Sequence, residues 1–94
     1  MNDPLIVFQN IDNPRLRQQL RDMMDEMIEL APSDAACRAT FQFLTDRFLA
    51  NIQIASESAV MHVEDSTMAV GDLILHVKEK LLLQIVDWRN HRFV

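Results

Sequence analysis

The chain has 94 residues, 49% of them apolar and 24% charged, with one Gly and three Pro. That length and balance suit a single globular domain over residues 1–94 and exclude a disordered or fibrous protein. Nine basic residues against fourteen acidic ones give a formal net charge of −5, poorly suited to gripping nucleic acid by charge alone.

Leu5-Ile6-Val7-Phe8 is short and rich in β-branched and aromatic side chains, and predicts a first strand. Asp12-Asn13-Pro14 predicts a helix start, with a capping side chain followed by Pro at the first helical position. Leu16, Leu20, Met23, Met27 and Leu30 come next at spacings of four and three, one face of an α-helix that Pro32 ends.

From Cys37 the period becomes two. Cys37, Ala39, Phe41 and Phe43 alternate with polar neighbours, and after Thr45-Asp46 so do Phe48, Ala50, Ile52 and Ile54. Ser56-Glu57-Ser58 marks a second turn, and Ala59, Met61 and Val63 a third alternating run. These predict three antiparallel strands joined by short hairpins, each with one apolar face. Asp65-Ser66 reads as an N-cap for a long helix over about residues 67–90, with Val70, Ile74, Val77, Leu81, Ile85 and Trp88 as its apolar stripe. Two amphipathic helices can cover one face of a four-stranded sheet. The expected fold is therefore α+β, a βαβββα two-layer sandwich.

Catalytic and metal signals are poor. The single Gly71 excludes a Gly-rich phosphate loop. His62, His76 and His91 have no metal-ligand spacing, and a zinc site needs three or four converging ligands. No metal, cofactor or enzymatic activity is expected. Cys37 cannot form an internal disulfide, which favours a reducing cytoplasm, and its strand position turns it inward as a small hydrophobe. The acidic start Met1-Asn2-Asp3-Pro4 reads as no secretion signal. No apolar run approaches the roughly 18 residues of a membrane span.

Met24 and Ile28 lie beside the main stripe of the first helix, and Leu75, Leu82 and Val86 beside that of the second. These side stripes either pack helix on helix over the sheet, the favoured reading, or form a partner interface such as a homodimer. Gly71 marks either close helix approach or a tolerated residue inside the second helix. Asp22, Asp25, Glu26 and Glu29 read as a solvated face. The basic residues gather as Arg15, Arg17 and Arg21 in the first helix, Lys78 and Lys80 in the second, and Arg89, His91 and Arg92 at its end. At a helix C-terminus cations oppose the negative dipole end. Shared between two helices on one exposed layer, they could instead meet a phosphate backbone.

The order of elements and four stretches together resemble the ribosome hibernation-promoting factors and ribosome-associated inhibitors. The stretches are Pro14-Arg15-Leu16-Arg17; the hairpin from Ala39-Thr40-Phe41-Gln42-Phe43 through Ala50-Asn51-Ile52-Gln53-Ile54; Met61-His62-Val63-Glu64-Asp65; and the last helix with its basic end. The resemblance covers nearly the whole chain and fits the short form. It implies a fold like that of double-stranded RNA-binding domains. It also implies binding to the small ribosomal subunit and its RNA, occlusion of the messenger and transfer RNA channel, and a role in resting or stressed cells. Arg17 matches the family by position; Arg21, Lys78, Lys80, Arg89 and Arg92 are RNA-contact candidates by location. The sequence departs from the family in a hairpin where Arg47 is nearly the only cation, in Ser56-Glu57-Ser58 at the usual Gly-rich turn, and in having no Tyr. These departures sustain an alternative: a member that has exchanged RNA for a protein partner or a second copy, through Met24, Ile28, Leu75, Leu82 and Val86.

Overall fold

The computed structural model describes residues 3–91. Its elements are β1 (Leu5–Gln9), α1 (Pro14–Leu30), β2 (Ala36–Leu44), β3 (Arg47–Ala55), β4 (Val60–Thr67) and α2 (Val70–His91). The sheet order is β1-β2-β3-β4, so each strand pairs with its neighbour in sequence. β1 and β2 are parallel, with α1 as the crossover that a parallel pair requires; β2–β3 and β3–β4 are antiparallel. This is the expected βαβββα sandwich.

Alternation decides which face of the sheet is covered. Cys37, Ala39 and Phe41 of β2, Ala50, Ile52 and Ile54 of β3, and Met61 and Val63 of β4 are all buried. Their neighbours Arg38, Asn51, Gln53, His62 and Glu64 are exposed on the other face. Above the buried face lie Leu20, Met23, Met24 and Met27 of α1 and Leu73, Val77, Leu81 and Ile85 of α2. Burying a side chain of this size contributes on the order of 2 kcal/mol, so the doubly covered face dominates stability. Cys37 points inward as expected and is 8% exposed.

The start of α1 matches its sequence signals. Asn13 accepts from the backbone N–H of Arg15 (2.9 Å) and Leu16 (3.3 Å), and Pro14 opens the helix. The start of α2 does not. Asp65 and Ser66 lie inside β4, opposite Ala50 and Leu49, and the helix begins only at Val70. Capping residues signal a helix only where the chain has left its ladder, and here the period-two pairing runs on to Thr67. Gly71 therefore sits in the first turn of α2 with nothing within 4 Å of a Cβ built on it. The close approach considered for it is absent, and so is most of the cost of a mid-helix glycine.

The favoured internal packing of the side stripes holds for the first helix and fails for the second. Met24 is wholly buried and belongs to the core, and Ile28 packs partly against that core. Leu75, Leu82 and Val86 are exposed, with Leu83 beside them. Leu73, outside the expected stripe, takes the core position.

The β2–β3 turn holds Thr45 at φ 59°, a left-handed conformation that a β-branched residue adopts at a cost of about 1–2 kcal/mol. Thr45→Gly should therefore stabilise the fold by about 0.5–1 kcal/mol after allowing for the more flexible unfolded chain. Urea unfolding would show this as a higher midpoint with an unchanged slope; a lower midpoint would mean that the turn is not strained.

Candidate functional site

The cations of the helix layer are largely engaged within the molecule. Arg17 donates from Nε to the carbonyl of buried Ile11 at 2.6 Å, pairs with Asp12 at 3.7 Å, and lies 5.3 Å over the Phe8 ring. Arg21, one turn on, lies 5.0 Å over the same ring, which stacks on Phe41 beneath. Lys78 bridges the helices to Glu26 at 3.1 Å. Lys80 meets Asp65 at 3.0 Å and the carbonyl of Glu64 at 3.4 Å. Arg89 donates to the carbonyl of Leu30, the last residue of α1, at 3.2 Å. That contact supplies a donor to a helix end whose last turn carries no basic residue of its own. Arg92 lies outside the described residues.

The predicted RNA-contact set thus divides. Arg17, Lys78, Lys80 and Arg89 are engaged by carboxylates or carbonyls of the protein itself, whereas Arg21 keeps its head clear of carboxylates. The guanidinium groups of Arg15 and Arg38 have no partner among the described residues. Arg15, Arg17 and Arg21 crowd the N-terminal half of α1, where the first turn carries no acid and the helix dipole is already positive. Asp22, Asp25, Glu26 and Glu29 crowd the other half and are exposed, as expected.

Asp65 shows what the alternation can do with a charge. It lies on the helix-side face of β4, with its side chain only 14% exposed, and it receives Lys80 and His76 (3.4 Å) from α2 and the Ser66 N–H at 2.8 Å. Desolvation pushes its carboxyl up. The Lys80 hydrogen bond, the Ser66 N–H and the charges of Lys80 and His76 outweigh it and hold the pKa below its ordinary value. One turn on, Gln84 takes both free backbone groups of His62: its Oε1 accepts from the His62 N–H at 3.0 Å, and its Nε2 donates to the His62 carbonyl at 2.9 Å. The side-chain amide does what a fifth strand would do and closes that stretch of the β4 edge. No spacing rule for helices or strands would have found Gln84, because its signal is a contact between two elements.

The open sheet face carries a small polar network. His62 Nε2 lies 3.1 Å from Asn51 Oδ1 and 3.4 Å from Glu64, and Asn51 Nδ2 donates to Glu64 at 3.3 Å. No cluster of three or more metal-ligating side chains occurs among the described residues. Burial pushes the Cys37 thiol up to about 11, so it stays protonated near neutrality and lacks the thiolate that a nucleophile needs. No helix among the described residues is long and apolar enough to cross a membrane.

Parallel β1–β2, two antiparallel hairpins and two helices on one face define a mixed α+β sandwich shared with proteins of known structure. A ribosomal subunit interface protein from Coxiella burnetii matches with a TM-score of 0.71 at 11% identity, over 93% of this chain and 97% of that one. The N-terminal domain of Protein Y from Thermus thermophilus matches with a TM-score of 0.61 at 7% identity, over 85% and 96%. These likenesses show the fold. Neither a protein-family model nor a curated protein sequence matches the chain.

Arg17→Ala should cost about 1–2 kcal/mol through the lost bond to Ile11, read as a lower urea midpoint, whereas Arg15→Ala should be neutral. Because Asp65 has a depressed folded pKa, its contribution is present above the ordinary carboxylate range and fades as pH falls through the folded value. Asp65→Asn should be less stable than the parent at neutral pH, and the two should converge in strong acid. A gap that persists in strong acid would remove the ion pairs as its cause.

Proposed function

We infer that the protein is ribosome-associated and acts by binding, with the small subunit and its RNA as target. Occlusion of the messenger and transfer RNA channel is the mechanism. The observation that carries this reading is the fold match to a ribosomal subunit interface protein, which spans nearly the whole of both chains. The sequence resemblance to the hibernation factors, reached independently through the hairpin and the helix ends, supports the same reading. The activity needs no cofactor, metal or reaction, and it implies a cytoplasmic protein of resting or stressed cells.

The electrostatics favour one part of the molecule for the RNA contact. A phosphate could approach the N-terminal end of α1, where Arg15 and Arg21 extend and the helix dipole adds positive potential. At Lys78 or Lys80 it would have to displace Glu26 or Asp65. Few phosphate contacts are then made, so few counterions are released. Affinity should be modest and its salt dependence shallow, near one logarithmic unit per phosphate neutralised.

Co-sedimentation with purified small subunits at low and moderate salt tests this. The parent should pellet with the subunit and weaken as salt rises. Arg15→Glu with Arg21→Glu should abolish association while the fold is kept, and Lys78→Ala should leave it nearly unchanged. A parent that fails to associate at low salt overturns the ribosome reading. A double variant that associates normally overturns the assignment to the α1 end.

A further inference from the structure

α2 is apolar on two opposite faces. Leu73, Val77, Leu81 and Ile85 point into the core. At about 100° per residue, Leu75, Leu82 and Val86 lie across the helix axis from them, with Leu83 adjoining. All four are exposed, from 37% at Leu82 to 72% at Leu83. Glu79, Leu82, Leu83 and Val86 line a shallow hollow on this side. A helix that is apolar on both sides belongs between two partners, and the fold supplies only one.

The margins of the stripe say what the second partner is. Glu79 sits within it, and Asp72 and Asp87 lie seven residues before and eight after, along the side of Leu83. The other margin is α1. Lys78, between Leu75 and Leu82 on the helix surface, meets Glu26 at 3.1 Å, and Asp22 and Glu29 stand one turn to either side of Glu26. The stripe therefore holds Glu79 and is bordered by Asp72 and Asp87 on the Leu83 side, while on the α1 side Lys78 and Arg89 are interleaved with Glu26, Asp22 and Glu29.

We propose that this stripe docks a basic amphipathic helix of a partner protein. Its apolar residues would lie on Leu75, Leu82, Leu83 and Val86, and its Lys or Arg flank against Asp72, Glu79 and Asp87. Phosphate is a poor occupant, since the carboxylates repel it. A second copy is also poor. Two-fold antiparallel pairing sets the Asp72 and Asp87 margin against itself, and each copy carries a net charge of −5. The proposal concerns a surface distinct from the Arg15 and Arg21 end and does not depend on ribosome binding.

The test uses the full chain and a synthetic helical peptide of about 18 residues, with Leu on one face and Lys on the other, beside a matched peptide with Glu in place of Lys. Calorimetry should show binding of the Lys peptide alone, and amide shifts should map it to α2 around residues 75–86. Leu82→Ser with Val86→Ser removes no core residue and should weaken binding at least about tenfold, as should Glu79→Lys with Asp87→Lys. Equal binding of the Glu peptide overturns the proposal. So do shifts mapping elsewhere, or Lys-peptide affinity unchanged by Leu82→Ser with Val86→Ser. A dimeric protein that Leu82→Ser with Val86→Ser converts to monomer would assign the stripe to a second copy and overturn it too.

Discussion

The docking of α2 on β3 and β4 sets both the core of the molecule and much of its surface. Leu73, Val77, Leu81 and Ile85 belong to one buried cluster with Ile52, Ile54, Met61 and Val63. Around that apolar contact stands a polar border: Lys80 and His76 on Asp65, and Gln84 on the backbone of His62. The apolar part supplies the free energy, and the polar part fixes position, since each border group lies in one place relative to β4. Once α2 is held in that rotation, its opposite side must face outward. The exposure of Leu75, Leu82 and Val86 is thus a consequence of how the core is filled.

The charges are arranged with equal constraint. Arginines at the positive end of α1 and carboxylates toward its negative end are the reverse of what the helix dipole favours, at a few tenths of a kcal/mol each. Arg17 gains a local reason in Ile11 and Phe8, and the end of α1 gains Arg89 from the neighbouring helix. No contact among the described residues explains Arg15. Its position against the dipole suits an external anion better than it suits the helix. The acidic half separates that end from the apolar stripe. A molecule with net charge −5 can therefore carry a cationic end and an acidic border on separate surfaces.

Periodicity made the fold legible in the sequence. The four-and-three steps from Leu16 to Leu30 and the alternation from Cys37 to Val63 report burial directly, because burial is what selects those residues. The Asn13-Pro14 start was legible for the same local reason. Asp65-Ser66 misled because a residue type favoured at helix caps is also tolerated on a strand whose charge has a partner, and that partner, Lys80, lies on another element. The side stripe of α2 misled because spacing shows that Leu75, Leu82 and Val86 are apolar but not whether the neighbouring helix reaches them. The candidate site was the least legible. Composition shows a cation, and only the fold shows whether a carboxylate or carbonyl has already engaged it, as at Lys78, Lys80 and Arg89.

Each strand pairs with its neighbour in sequence, and this has a kinetic consequence. The two antiparallel pairs close over turns of a few residues, so the loop entropy lost before their contacts form is small. Only the parallel β1–β2 pair must wait for a crossover the length of α1. A chain of this topology can assemble its β2–β3–β4 meander early, recruit α2 across it, and add β1 last. β1 is an edge strand, and it carries Phe8, the ring on which Arg17 and Arg21 rest. Under that order Arg17 and Arg21 gain the ring beneath them only in the last step, so the cationic end takes its final form together with the last strand.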